Sequence, residues 1–84
     1  MAATLKLEIA TPEKLVVDTA VDSVTVPGAG GYMGILPGHA ALLSVLGEGD
    51  LSYAANGKTE KHKITGGYVE VRDNHVRVLA DKVE

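Results

Sequence analysis

The chain has no cysteine, no tryptophan and no phenylalanine, and aromatic residues make up only 4% of it. Without cysteine there is no disulfide framework, no thiolate metal site and no thiol nucleophile, so a chain of 84 residues must be held together by packing alone. That packing is aliphatic, because the 45% hydrophobic content is carried by Val, Leu, Ile and Ala. A run of about 20 apolar residues is also missing, and Met1 to Glu8 alternates rather than forming the apolar core of a secretion signal. Lys and Arg are not clustered, and the net charge is −3. Nucleic acid and an anionic lipid surface are therefore disfavoured as partners, no direct membrane insertion is expected, and a membrane role would run through another protein.

What the sequence does have is a two-residue period. Leu5, Leu7 and Ile9 alternate with Lys6, Glu8 and Ala10 until Pro12 ends the pattern, which predicts a half-buried strand. Lys14 to Val17 and the stretch holding Val24 and Val26 predict two more. From Gly28 to Gly38 glycines bracket Tyr32, Met33, Ile35 and Leu36, which reads as an irregular, functional loop. Ala40 to Leu46 is an apolar run broken only by Ser44 and predicts a buried strand.

Leu51, Tyr53 and Ala55 then alternate up to Asn56-Gly57, the pair that a type I′ hairpin turn requires, with Lys58 to Ile64 as the return strand. Gly66-Gly67 marks a bulge or a close backbone approach. Val69 and Val71, the turn Asp73-Asn74, and Val76, Val78 and Ala80 complete the alternation. No segment keeps a helical period and no repeat or linker is visible. The expectation is one all-β domain over residues 1–84, a flattened β-sandwich of about 8–10 short, mostly antiparallel strands.

The candidate chemistry is thin. Gly28 to Gly34 lacks the third glycine of a dinucleotide fingerprint, which would fall at Met33, and lacks a Walker-type lysine, so no nucleotide or other cofactor is expected. His39, His62 and His75 have no ligand spacing, and Ser23, Ser44 and Ser52 lack a nucleophile elbow, so neither a metal nor catalysis is expected. A second reading is a swinging-arm carrier domain, all-β and of similar length, with Lys58 as its modifiable hairpin lysine. Gly57 and Thr59 flank Lys58 where such carriers place Met or Asp.

Val24-Thr25-Val26-Pro27-Gly28 and Gly31-Tyr32-Met33-Gly34-Ile35-Leu36-Pro37-Gly38-His39-Ala40-Ala41-Leu42-Leu43 resemble the first signature of the ATP synthase epsilon-subunit amino-terminal domain. Ile64-Thr65-Gly66-Gly67-Tyr68-Val69-Glu70-Val71 and Asn74-His75-Val76-Arg77-Val78-Leu79-Ala80-Asp81 resemble the second. The resemblance implies a non-catalytic subunit of the central stalk, or rotor, of an F-type, proton-translocating ATP synthase. Its partners would be the gamma subunit and the polar loops of the membrane c-ring, coupled during ATP synthesis.

By the same resemblance the partner interface is Gly31, Tyr32, Met33, Gly34, Ile35, Leu36, Pro37, Gly38, His39 and Leu42, and Ile35→Asp is expected to weaken assembly while leaving the fold intact. The implied location is the cytoplasmic face of the bacterial inner membrane, with the stromal face of the thylakoid as the lesser alternative. Ala41 stands where the family commonly has proline, and Tyr32 where it often has a polar residue. The family's carboxy-terminal helical hairpin is absent from the sequence, so inhibition of ATP hydrolysis and nucleotide binding are not implied.

Overall fold

A computed structural model describes residues 4–84; Met1, Ala2 and Ala3 of the expected domain lie outside the described residues. Eight strands follow one another without a helix among the described residues: β1 (Leu5–Ala10), β2 (Leu15–Val21), β3 (Ser23–Gly28), β4 (Gly31–Ile35), β5 (Leu42–Val45), β6 (Glu48–Ala55), β7 (Lys58–Arg72) and β8 (His75–Val83). They hydrogen-bond in the order β2-β1-β8-β7-β6-β3-β4, with β5 on β7. All pairs are antiparallel except β1 with β8, which run parallel.

The long strand β7 makes one continuous sheet into two layers. Its first half pairs with β6 from Lys58 to Thr65, and its second half pairs with β5 from Tyr68 to Val71 along the same edge, while β8 lines the other edge. The change of partner falls at Gly66-Gly67, where both residues have positive φ, 63° and 104°. Only glycine takes the second of these without strain. The Leu46 N–H donates to the Gly67 carbonyl at 2.9 Å and the Gly66 N–H to the Gly47 carbonyl at 3.2 Å, so the β5–β6 connection is fastened at the bend.

The two layers enclose one aliphatic core. Leu5, Leu7 and Ile9 of β1, Val24 and Val26 of β3, Leu51 of β6, Ile64, Val69 and Val71 of β7, and Val76 and Val78 of β8 are all buried in it. These are the inward phases that the alternation predicts. Both predicted tight turns have the left-handed backbone that type I′ needs: Asn56 and Gly57 at φ 55° and 77°, Asp73 and Asn74 at φ 51° and 59°.

Three expectations change. Gly28 to Gly38 is not irregular throughout, because Gly31–Ile35 forms β4, joined to β3 through Ala29-Gly30. The strand expected over Ala40 to Leu46 is shorter, Leu42–Val45, and is not buried: Leu43 and Val45 point outward. An apolar run broken only by Ser44 suggested two covered faces, but only the face of β5 that carries Leu42 lies against the core, and the face of Leu43 and Val45 is open to solvent. Finally, the strand expected over Lys14 to Val17 begins one residue later, at Leu15, and runs on to Val21.

Candidate interaction surfaces

The segment that the resemblance implies as interface becomes a strand, a turn and a second strand: β4 ends the sheet beside β3, and β5 borders the other layer beside β7. The turn is Leu36-Pro37-Gly38-His39, in which the His39 N–H donates to the Leu36 carbonyl at 3.1 Å. Proline at the second position and Gly38 at φ 87° at the third make it type II. The Asn74 side-chain oxygen, on the β7–β8 turn, accepts from the Gly38 N–H at 2.7 Å, and the Asn74 carbonyl accepts from the Lys6 N–H at 2.8 Å. One residue thus ties the predicted contact loop to β1 and to the β7–β8 hairpin.

Of the predicted contact residues, Gly31, Tyr32, Gly34, Leu36 and Gly38 are exposed, and Met33, Pro37, His39 and Leu42 are half-buried. Leu42 and Met33 pack against the core from its margin. Ile35 is the exception, at 0% exposure in the core. It pairs with Val24 and shares that residue's inward phase, so its side chain cannot reach a partner and an aspartate there would sit inside the sandwich. Tyr32 lies against Gly49, and its hydroxyl accepts from the Asp50 N–H at 3.2 Å. Between Asp22 and Glu48 the chain has no Asp, Glu, Lys or Arg.

A second surface was not legible in the sequence. On the outer face of the layer β2-β1-β8-β7-β5, Leu15 is opposite Ala10, Ala10 opposite Leu79, Leu79 opposite Tyr68, and Tyr68 opposite Val45. The result is an unbroken apolar row across five strands, roughly 19 Å long at the usual strand spacing. Its large members are open to solvent: Leu15 52%, Leu79 36%, Tyr68 47% and Val45 63%. Tyr68 bridges two shallow hollows, one lined by Ala10, Pro12 and Leu79 and the other by Leu43 and Val45. The signal existed, since Tyr68 is in phase with Glu70 and Arg72, and Leu79 with Arg77 and Asp81: a large apolar residue in the solvent phase of an alternating strand.

The next rows of the same face are charged. Asp18, Glu8, Arg77 and Glu70 are aligned in register, with Leu43 at the end, and Lys6, His75 and Arg72 follow. Lys6 pairs with Asp18 at 3.2 Å, and Glu8 takes both the His75 ring nitrogen and, at 3.9 Å, the Arg77 guanidinium. The Lys6–Asp18 and Arg77–Glu8 ion pairs are partly exposed and each contributes little to stability, about 0–1 kcal/mol. Their effect is to give the face two textures, apolar at one end and charged at the other.

The remaining chemistry-bearing side chains are dispersed. His39 contacts the Ala40 carbonyl at 2.7 Å, His62 stacks on Tyr53 with ring centroids 6.1 Å apart, and the His75 ring contacts the Glu8 carboxylate. No group of three or more His, Cys, Asp or Glu able to hold a metal occurs among the described residues. Lys58 opens β7 directly after the type I′ turn and is exposed. The arrangement offers surfaces for docking.

Comparison with known proteins places the chain in a family. Residues 4–84 match the family described as the ATP synthase delta/epsilon chain, β-sandwich domain. The ATP synthase epsilon chain of Solibacter usitatus is 51% identical over 84 residues, covering 100% of this chain and 63% of that protein. That of Carboxydothermus hydrogenoformans is 49% identical with the same coverage, 100% and 63%. The chain thus spans about 63% of the length of these curated relatives. Among solved structures, a chain of the Euglena gracilis mitochondrial ATP synthase OSCP/F1/c-ring assembly superposes with a TM-score of 0.92 at 25% identity, over 98% of this chain and 53% of that one. A chain of the Tetrahymena thermophila mitochondrial ATP synthase central stalk/c-ring shares the fold at a TM-score of 0.80 and 21% identity, over 95% and 65%.

Proposed function

The chain belongs to the ATP synthase delta/epsilon-chain β-sandwich family, and from that membership we propose that it is a non-catalytic rotor part that couples the gamma subunit of the central stalk to the c-ring. It works on the cytoplasmic side of a bacterial membrane, reached through these partners. The observation that carries the reading is the apolar row from Leu15 to Val45, a patch of the kind soluble domains keep for a partner. The relatives' own names, and the stalk and ring assemblies in which the fold recurs, supply the class of partner.

In this reading the apolar row seats the gamma subunit and the stretch from Gly31 to Leu43, which has no Asp, Glu, Lys or Arg, turns toward the ring and the foot of the stalk. The two meet at β5, where Val45 ends the row and Leu42 and Leu43 end the stretch. A closely packed sandwich resists bending, so force entering at one surface leaves at the other with little loss to deformation. No bond is made or broken in such a role, and its specificity lies in shape and burial.

The test is binding of the purified chain to the gamma subunit of the same organism, with Tyr68→Ser and Leu79→Ser as variants. Each variant should keep its fold, since neither side chain is in the core, and each should weaken binding by about tenfold or more. Undiminished binding by both variants refutes the row as the seat. No binding by the wild-type chain refutes the rotor reading itself.

A further inference from the structure

β4 is the end of the sheet, paired with β3 and with no other strand among the described residues. The β3–β4 hairpin turns through two residues, Ala29 and Gly30, with Gly28 opposite Gly31. In such a hairpin the closing pair exchanges backbone hydrogen bonds and alternate pairs follow suit, so Val26 with Met33 and Val24 with Ile35 are the bonded pairs. Pro27, which has no N–H, falls opposite Tyr32 in a pair that exchanges none. The N–H and C=O groups of Tyr32 and Gly34 therefore point away from β3, along an open edge.

Soluble proteins usually protect such an edge with a charged side chain, a proline or a bulge. β4 has none: its sequence is Gly-Tyr-Met-Gly-Ile, its register with β3 is unbroken, and no charge occurs from Ser23 to Gly47. A second observation is independent of the first. Gly34 is exposed, its φ is not in the left-handed region, and a Cβ placed on it would meet nothing within 4 Å. Nothing among the described residues calls for glycine at this position, where alanine would reduce unfolded-state entropy and favour the strand. A glycine without an internal reason, on an open strand, leaves room for another backbone to approach.

We propose that β4 is a strand-addition site, at which an extended, uncharged segment of another rotor chain pairs with the backbone of Tyr32 and Gly34 and lies over Gly34. The identity of that partner rests on the rotor reading above; the geometry of the contact does not. The segment must be uncharged, because a charge brought against this edge would lose water without gaining a counter-ion. Two residues offer at most four backbone bonds, so strand addition fixes the orientation and register of a complex whose affinity comes mainly from apolar burial elsewhere.

Two measurements on the chain bound to the reconstituted gamma–c-ring rotor of the same organism decide the matter. Amide hydrogen exchange, carried out in the complex and read on the released chain, should show Tyr32 and Gly34 slowed about tenfold or more relative to the free chain, with Met33 slow in both. Gly34→Ala should melt at the wild-type temperature or above it, yet bind about 10- to 100-fold more weakly, the effect of one extra methyl in a close contact. Fast exchange at Gly34 in the complex, or unaltered binding by Gly34→Ala, overturns strand addition while leaving the rotor reading standing. Protection of the same two amides in a dimer of the free chain overturns the assignment to another rotor chain in favour of a second copy. A wild-type chain that does not bind the rotor overturns the rotor reading and the partner with it.

Discussion

Replacing Gly67 by alanine should be the most damaging single-methyl change in this protein. A Cβ at that position would fall inside the van der Waals envelope of the Leu79 carbonyl oxygen and 2.8 Å from the Ala80 Cα. Both neighbours are backbone atoms of β8, held by pairing with β7 and β1, so neither can rotate aside. The φ of 104° adds strain of its own for any L side chain. Backbone strain of about 1–3 kcal/mol and overpacking of about 1–3 kcal/mol together come to about 2–6 kcal/mol. A domain of 84 residues has about 4–13 kcal/mol in total.

The variant should therefore lose more than about 10 °C of Tm, at about 4–8 °C per kcal/mol for a domain of this size. The assay is urea denaturation with fitted midpoint and slope, so that a change of compactness is separated from a change of stability. Two other glycines calibrate it. At Gly66, φ is 63° and the added methyl would meet the mobile Asp81 carboxylate, so Gly66→Ala should cost about 1–2 kcal/mol. At Gly30 nothing lies within 4 Å and Gly30→Ala should be within about 0.5 kcal/mol of wild type. Equal stability of the Gly67 and Gly66 variants would refute the argument that β8 backbone sets the cost.

Ile35→Asp should unfold the chain rather than selectively disable docking, because it buries an unpaired carboxylate in the core; circular dichroism of the purified variant at neutral pH should lack the wild-type melting transition. Asn74→Gly keeps the positive φ of the turn but removes the acceptor of the Gly38 N–H, so exchange at the Gly38 amide should accelerate about tenfold or more, with Tm changed by only a few degrees. Asn74→Asp, which keeps an acceptor oxygen, should restore slow exchange.

Much of the fold was readable because the strands of this chain are amphipathic in the simplest sense. Leu5, Leu7 and Ile9, or Val76, Val78 and Ala80, announce an inward face by a period of two, and Asn56-Gly57 announces its turn because two successive left-handed residues suit few other pairs. The pattern misled where apolarity was nearly continuous. Leu42 to Val45 has the apolarity of a strand covered on both faces, yet nothing among the described residues packs on the face that carries Leu43 and Val45, and which face of a sheet is covered is not encoded in one strand. The Gly28 to Gly38 stretch hid β4 because glycine weakens every strand signal while still permitting a strand.

The candidate surfaces divide in the same way. The stretch from Gly31 to Leu43 is singled out by the resemblance of its residues to a family signature, whereas the inward phase of Ile35 follows only from its pairing with Val24. The apolar row was not found, because Leu15, Ala10, Leu79, Tyr68 and Val45 come from five strands far apart in the chain. Their alignment is fixed by strand order and by the register of four pairings, one of them parallel. Sequence alone determined the class of this protein: local alternation and turn chemistry are nearest-neighbour physics. Tertiary structure decided which outward residues share a row, which strand keeps an open edge, and where a glycine has no internal reason to be glycine. Those are relations between distant segments, created only when the sheet closes around its core.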